Sequence, residues 1–431
     1  MLKYDQSPCC SFCNGKSMTK IIDFGKMALA GAFLKPEQFA SEAVYPLRLY
    51  FCSDCYSVQV TDRVNPSVLF KEYFYFSSAI QTLREHFVDY ASEVTSRFLD
   101  PEHSTVVEFG CNDGVLLGPL ADQGIRTVIG VDPATNIVKT INDPRITIVN
   151  DFFNEDVAEQ IIAAYGRADM VVANNVYAHI SDIQGVTRAI QNVLVDDGVF
   201  VFEVHYLGKI INDLQYDMIY HEHLYYYSLL ALTNHFARYD MMIFDVKPVQ
   251  IHAGSMRYYV CKKGSRHESS VSPQVIALRA QELADRYNEA ETYARFASDV
   301  AVRKEKLMDL LTHLKAKGKS IAGYGASGRA NTIIQYCGID QRYLDFMIDD
   351  APAKLGLYTP GAHFQIRPRS VIEHHPRPDY LLIFAWSFLG EIAKKCTNYL
   401  AGGGRMIVPL PDVEIMPYPG RDRASGSITL I

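Results

Sequence analysis

Four short apolar runs punctuate the middle of the chain: 105–109 before Gly110, 128–131 before Asp132, 170–173 before Asn174, and 199–204 after the turn Asp196-Asp197-Gly198. Each has strand length and is rich in β-branched or aromatic residues, and longer helix-compatible spacers lie between them. That alternation predicts a doubly wound, parallel α/β sheet. A polar stretch over 79–98 with helical character leads into the first run. From Pro273, just after Ser272, to about residue 315, apolar residues such as Leu278, Leu283, Tyr287, Tyr293, Phe296, Val300 and Leu307 recur at helix-like intervals, which predicts a long helical connector. At Ser320 a second strand, glycine turn and helix begin, followed by runs at 346–348, 380–384 and 405–408. A second, smaller α/β domain is therefore expected to close the chain.

The segment before residue 68 is different. Its strand-like pieces, such as 45–51, are too few to bury a core, and a segment this small needs a staple. Of nine cysteines in 431 residues, five lie before residue 56. Cys10-Ser11-Phe12-Cys13 and Cys52-Ser53-Asp54-Cys55 have zinc-knuckle spacing, and four thiolates make the closed shell of a structural site, so Cys10, Cys13, Cys52 and Cys55 are expected to hold one structural zinc. The alternative is four reduced surface cysteines, and Cys9 is a spare. With 42 basic against 49 acidic residues the net charge of −7 excludes a broad phosphate-binding face, so no nucleic-acid partner is expected. No long apolar run and no signal-like start appear, which leads to the expectation of a cytoplasmic protein with no membrane partner.

Glu108-Phe109-Gly110-Cys111-Asn112-Asp113-Gly114 runs from a strand into a glycine turn, and Asp132 ends the next strand. Glycines let a backbone approach a ligand, and a carboxylate at that second position can accept both ribose hydroxyls. The pattern is not the Gly-x-Gly-x-x-Gly of dinucleotide folds. It resembles the first motif of class I S-adenosylmethionine methyltransferases, with Asp151-Phe152 where such enzymes hold adenine. Glu108, Gly110, Asn112, Asp113, Gly114, Asp132, Asp151, Phe152 and Asn174 are the expected cofactor residues. After the fourth run, Tyr220-His221-Glu222-His223-Leu224-Tyr225-Tyr226-Tyr227 gathers two histidines, a carboxylate and a row of phenols near the carboxyl-end rim, where ligands of such sheets bind. Capped histidines and packed tyrosines are the purely structural alternative.

Taken along nearly its whole length, the chain resembles the sugar C-methyltransferases that act on nucleotide-linked 4-keto-deoxysugars. The resemblance rests on the Cys-x-x-Cys pairs, the segment Tyr73 to Ser78, Glu108 to Gly114, Asn175-Val176-Tyr177-Ala178-His179, Tyr220 to His223, His252-Ala253-Gly254-Ser255-Met256-Arg257, and Gly323-Tyr324-Gly325-Ala326 with Asn331-Thr332. It implies a zinc-binding domain (1–67), a class I methyltransferase domain (68–265), a helical connector (266–316) and a Rossmann-like domain (317–431). It further implies S-adenosylmethionine as methyl donor and methylation at C3 of the sugar after proton abstraction by His223. Glu222 orients that base or binds the sugar, Tyr220 with Tyr75 or Tyr73 donates to the enolate, and His179 is the second choice as base or as enolate partner. Tyr73, Ser77, His221, His252, Arg257 and Arg329 are the implied substrate residues, and the enzyme is expected to be a monomer. Transfer to oxygen or nitrogen is a competing expectation. So is a dinucleotide-dependent oxidoreductase, because Gly323-x-Gly325-x-x-Gly328 is followed by Asp349. A zinc-stapled sensor of S-adenosylmethionine is a third.

Overall fold

Every residue of the strand Thr105–Phe109 is buried, as a β-branched run must be when helices cover both faces of its sheet. In the structure, a computed structural model that describes residues 8–70, 76–79, 81–251 and 253–416, this strand lies inside a seven-stranded sheet. The order is Met241–Val249, Ser255–Lys262, Leu194–His205, Ala168–Asn174, Thr105–Phe109, Thr127–Val131, Ile146–Val149. From Leu194–His205 to Ile146–Val149 the pairings are parallel. Ser255–Lys262 runs antiparallel to both neighbours and, with Met241–Val249, adds an edge to the four predicted parallel strands. The order reverses between Thr105–Phe109 and Ala168–Asn174, and such a switch point opens a crevice at the carboxyl ends of the strands. Side-chain caps start the covering helices: Asn154 accepts from Val157 N for Glu155–Tyr165, and Asp182 from Gly185 N for Ile183–Val193.

The described residues divide into two compact units. The first holds those up to Asp23, Arg48–Ile210 and His221–Arg295; the second holds Phe24–Leu47, Ile211–Tyr220 and those from Phe296 onward. Among the described residues no helix is long and apolar enough to cross a membrane.

Within the first unit, both Cys-x-x-Cys turns close in the same way. Asn14 N donates to Cys10 O and Tyr56 N to Cys52 O, and Asn14 and Tyr56 take left-handed backbone with φ of 61° and 67°. The sulfurs of Cys10, Cys13, Cys52 and Cys55 lie within 4.8 Å of one another. Phe12 N, Gly15 N and Gln59 Nε2 donate to the Cys10 or Cys13 sulfur, as outer partners of metal thiolates do. Without a cation such a cluster cannot ionise throughout: the neighbouring Cys10 sulfur and burial hold Cys52 up to about 12 and push Cys55 higher still. The donor set and its frustration fit a structural zinc. The knuckle builds no separate core. Phe12 packs on Tyr225, Tyr227 and His235 at 5.1, 6.0 and 4.5 Å, so Cys10, Phe12, Cys52 and Cys55 share one apolar cluster with Val107 and Phe109 of the central strand.

In the second unit the strand order is Ile366–Arg367, Met347–Ile348, Ile321–Tyr324, Tyr380–Ile383, Arg405–Val408, Glu414–Ile415, all parallel except the last. Ser327 caps the helix Gly328–Cys337 that follows the glycine turn. The long helical stretch is two helices, Pro273–Ala284 and Ala290–Ala316. Arg286 at φ 59° breaks it, with Tyr287 N donating to Glu282 O in a Schellman-type end.

One zinc per chain is expected by metal analysis. Cys52→Ser should lose it and lower Tm by about 5 °C or more, as loss of some 2 kcal/mol requires in a unit of this size. Hydrogen-exchange protection of Val58–Val60 should fall with it. A metal-free chain of equal stability would contradict the staple.

Candidate active site

Gly110 (φ +66°) cannot be replaced without strain, because a Cβ there would strike Val176, three residues before His179. The turn that follows is held by side chains. Asn112 N donates to one oxygen of the Asp132 carboxylate at 2.9 Å and Ala134 N to the other at 2.8 Å. Asp132 is buried, and that burial raises its pKa; each of its oxygens keeps a second lone pair for a ligand hydroxyl. The side chains of Asn112 and Asp113 hold the chain beside the turn: Asn112 Oδ1 accepts from Ser77 N at 3.0 Å, and Asp113 accepts from Ser78 N. The turn thereby holds the 77–79 segment. Beside it lies an open cleft of about 790 Å³, lined by Pro133, Thr135, Asn150, Asp151, Phe152 and Ser67 among others.

Behind the turn, Glu108 is 3% exposed and accepts from Asn174 Nδ2 at 3.0 Å. Its other oxygen, Asn174 Oδ1 and the Oδ1 of neighbouring Asn175 are buried and have no partner among the described residues. Burial, with Asp132 and Asp113 adding to it, pushes Glu108 up to about 8. Buried acceptors without donors are costly. They fit a ligand bearing a cationic donor, as the amino-acid end of S-adenosylmethionine does.

The rings of His179, His223 and His205 lie together. The ring of Phe70 lies parallel to that of His179 at 5.7 Å, His179 stacks on His223 at 5.0 Å, and His205 tilts against His223 at 5.3 Å. Desolvation in this stack lowers His179 to about 4, so it is neutral near pH 7. His221 and His223 are buried and Glu222 between them is half-buried. Backbone bonds set the position: Leu224 N donates to Ala178 O at 2.9 Å and Val60 N to Leu224 O at 2.8 Å. Tyr225–Tyr226 then pairs antiparallel with Val58–Val60. Tyr226 donates to His223 O and Tyr227 to Tyr177 O; both phenols are thus committed to backbone carbonyls.

Tyr73, Tyr75 and His252 lie outside the described residues. Tyr220 belongs to the second unit. So does Arg329, whose Nε donates to the fully buried Asp217 at 2.8 Å while Trp386 donates to the same oxygen. Arg257 is 2% exposed and committed to protein carboxylates: its guanidinium reaches Glu203 at 2.6 Å and Glu93 at 2.9 Å and covers the Tyr90 ring at 3.5 Å. His86 Nε2 contacts both Glu203 oxygens, at 2.8 and 3.0 Å. Sequence reasoning missed His86 and Glu203, because no local pattern links residues 117 positions apart. Truncating Arg257 would take the guanidinium from buried Glu203 and leave it only His86, at a cost of about 3–5 kcal/mol, so lost activity there would first reflect lost fold.

Three family comparisons cover the chain: a zinc binding domain over residues 10–70, a methyltransferase domain over 83–243 and a C-methyltransferase C-terminal domain over 250–411. Among curated proteins, the C-methyltransferase NovU of Streptomyces niveus is 31% identical over 409 residues, 94% of this chain and 96% of that protein. A ubiquinone biosynthesis O-methyltransferase of Methylobacterium sp. (strain 4-46) is 37% identical over 98 residues, 22% of this chain and 39% of that protein. A solved structure of magnesium protoporphyrin IX methyltransferase from Synechocystis PCC 6803 matches 42% of this chain and 83% of its own at TM-score 0.32 and 13% identity. Since a C-methyltransferase aligns from end to end and the family matches follow one another from residue 10 to residue 411, the chain belongs to the C-methyltransferases and takes its methyl group from S-adenosylmethionine.

Proposed function

We propose that the acceptor is a ring carbon beside the ketone of a nucleotide-linked 4-keto-deoxysugar, C3 by the resemblance described above. The observation that carries this reading is the stack of His179 and His223 at the rim, with His205 against it. Carbon is nucleophilic only as an enolate, so a base must take the α-proton before the methyl group can move. His223 is that base. A neutral His179 ring beside it adds no opposing charge, and Glu222, next in the chain, orients the base or binds the sugar. His179 is the second choice. When bound, S-adenosylmethionine supplies an electrophilic methyl carbon. The protein has to hold the enolate carbon in line with it and keep water away, which requires no nucleophilic side chain.

The cofactor reading places Asp132 on the ribose and Asp151-Phe152 at the adenine end, with Glu108, Gly110 and Gly114 shaping the rest. The oxidoreductase alternative loses support in the second unit, where Lys354 Nζ donates to Ala326 O at 2.7 Å and meets Asp349 at 3.3 Å. Lysine thus already engages the acid that would accept from a ribose in a dinucleotide site.

His223→Asn should abolish methyl transfer and the solvent-deuterium exchange of the sugar's α-proton while cofactor binding persists. Exchange at the wild-type rate would move the base to another residue, His179 first. Asp132→Ala should weaken S-adenosylmethionine binding by about 1.5–3 kcal/mol, the loss of a charged acceptor. Unchanged affinity in calorimetry would reject Asp132 as the ribose partner.

A further inference from the structure

The glycine turn leaves one feature that methyl transfer does not require: a carboxyl group buried with half its hydrogen-bonding capacity unused. Glu108 Oε2, Asn174 Oδ1 and Asn175 Oδ1 are all acceptors, all buried, and all without donors among the described residues. Asn174 Nδ2 on Glu108 Oε1 keeps the first two adjacent. The groups facing Glu108 are Asp132 from the neighbouring strand end, Asp113 and Cys111 from the turn, Tyr90 from the helix Gln81–Phe98, and Asn174. None of these is a cation. A carboxylate there is buried and has no counter-charge among the groups that face it, whereas a neutral carboxylic acid can itself be the missing donor.

We propose that Glu108 waits as the neutral acid in the cofactor-free protein and becomes the carboxylate when the α-ammonium of the cofactor's amino-acid end arrives, so that cofactor binding releases one proton to solvent. The O–H bond of Glu108 breaks and its proton goes to buffer. The ammonium keeps all three hydrogens and donates to the Glu108 and Asn174 oxygens. The inference rests on the reading that this turn holds S-adenosylmethionine. Burial, which holds Glu108 at about 8 in the cofactor-free protein, puts the exchange in an accessible range. Below that value binding must expel a proton, so affinity rises with pH; above it the dependence flattens.

The test uses the full chain and S-adenosylhomocysteine, which keeps the ammonium and lacks the reactive methyl. Calorimetry at pH 7 in buffers of different ionisation enthalpy should find close to one proton released per molecule bound, and the dissociation constant should fall about tenfold between pH 6 and pH 7. Glu108→Gln should bind about tenfold more weakly, with proton release near zero. Should that variant fail to fold, difference infrared spectroscopy of the wild type serves instead: the band of a protonated carboxyl should disappear when S-adenosylhomocysteine is added at pH 7. Binding without proton release and without loss of that band would overturn the proposal while leaving the cofactor reading intact. Absence of binding at any pH would overturn both, and an Asp132 variant with unchanged affinity would contradict the ribose assignment alone.

Discussion

The peptide of Leu224 is bonded on both sides: its N–H donates to Ala178 O, and its carbonyl accepts from Val60 N. Through it the His223 segment is tied to the turn bearing His179 on one side and to the strand Val58–Val60 on the other. That strand follows directly on the second cysteine knuckle, and Phe12 of the first knuckle packs against Tyr225 and Tyr227. The cysteine staple is therefore tied to the segment that carries the histidine rings. Each backbone bond is worth only about 1 kcal/mol, so the position depends on the shared apolar core behind it.

Burial of charge follows two different solutions at the carboxyl ends of the sheet. Glu203 is completed by protein groups, with Arg257 on one side and His86 on the other. Glu108 receives a single amide donor and stays incomplete. The first arrangement is structural, since removing Arg257 takes away the guanidinium that balances the buried Glu203 carboxylate. The second is the arrangement that the proposed contact with the cofactor's ammonium would complete. Asp132 lies between the two, buried but closed by the backbone amides of Asn112 and Ala134.

Much of this was legible in the sequence. The β-branched runs ending in Gly110, Asp132 and Asn174 are strands, the Cys-x-x-Cys spacing brings four sulfurs together, and Ser272-Pro273 starts a helix. What escaped had no local signature. The helix break at Asp285–Glu289 contains neither glycine nor proline, and Arg286 takes the left-handed position instead. Met241–Val249 carries Asp245, Pro248 and a bulge between Ile243 and Asp245, which hid an edge strand. Arg257 lies in one of the segments on which the resemblance rests, yet faces Glu203 and Glu93. Only the fold, which sets Arg257 opposite Glu203 in adjacent antiparallel strands, shows that partnership.

The central claim is that the methyl group is delivered to a sugar carbon. Incubating the protein with a nucleotide-linked 4-keto-deoxysugar and S-adenosylmethionine labelled with carbon-13 in its methyl group, and reading the product by NMR, tests it most directly. The account predicts a labelled methyl coupled to a ring carbon beside the ketone. A label attached to oxygen or nitrogen, or an unmodified sugar with S-adenosylmethionine bound and intact, would contradict it.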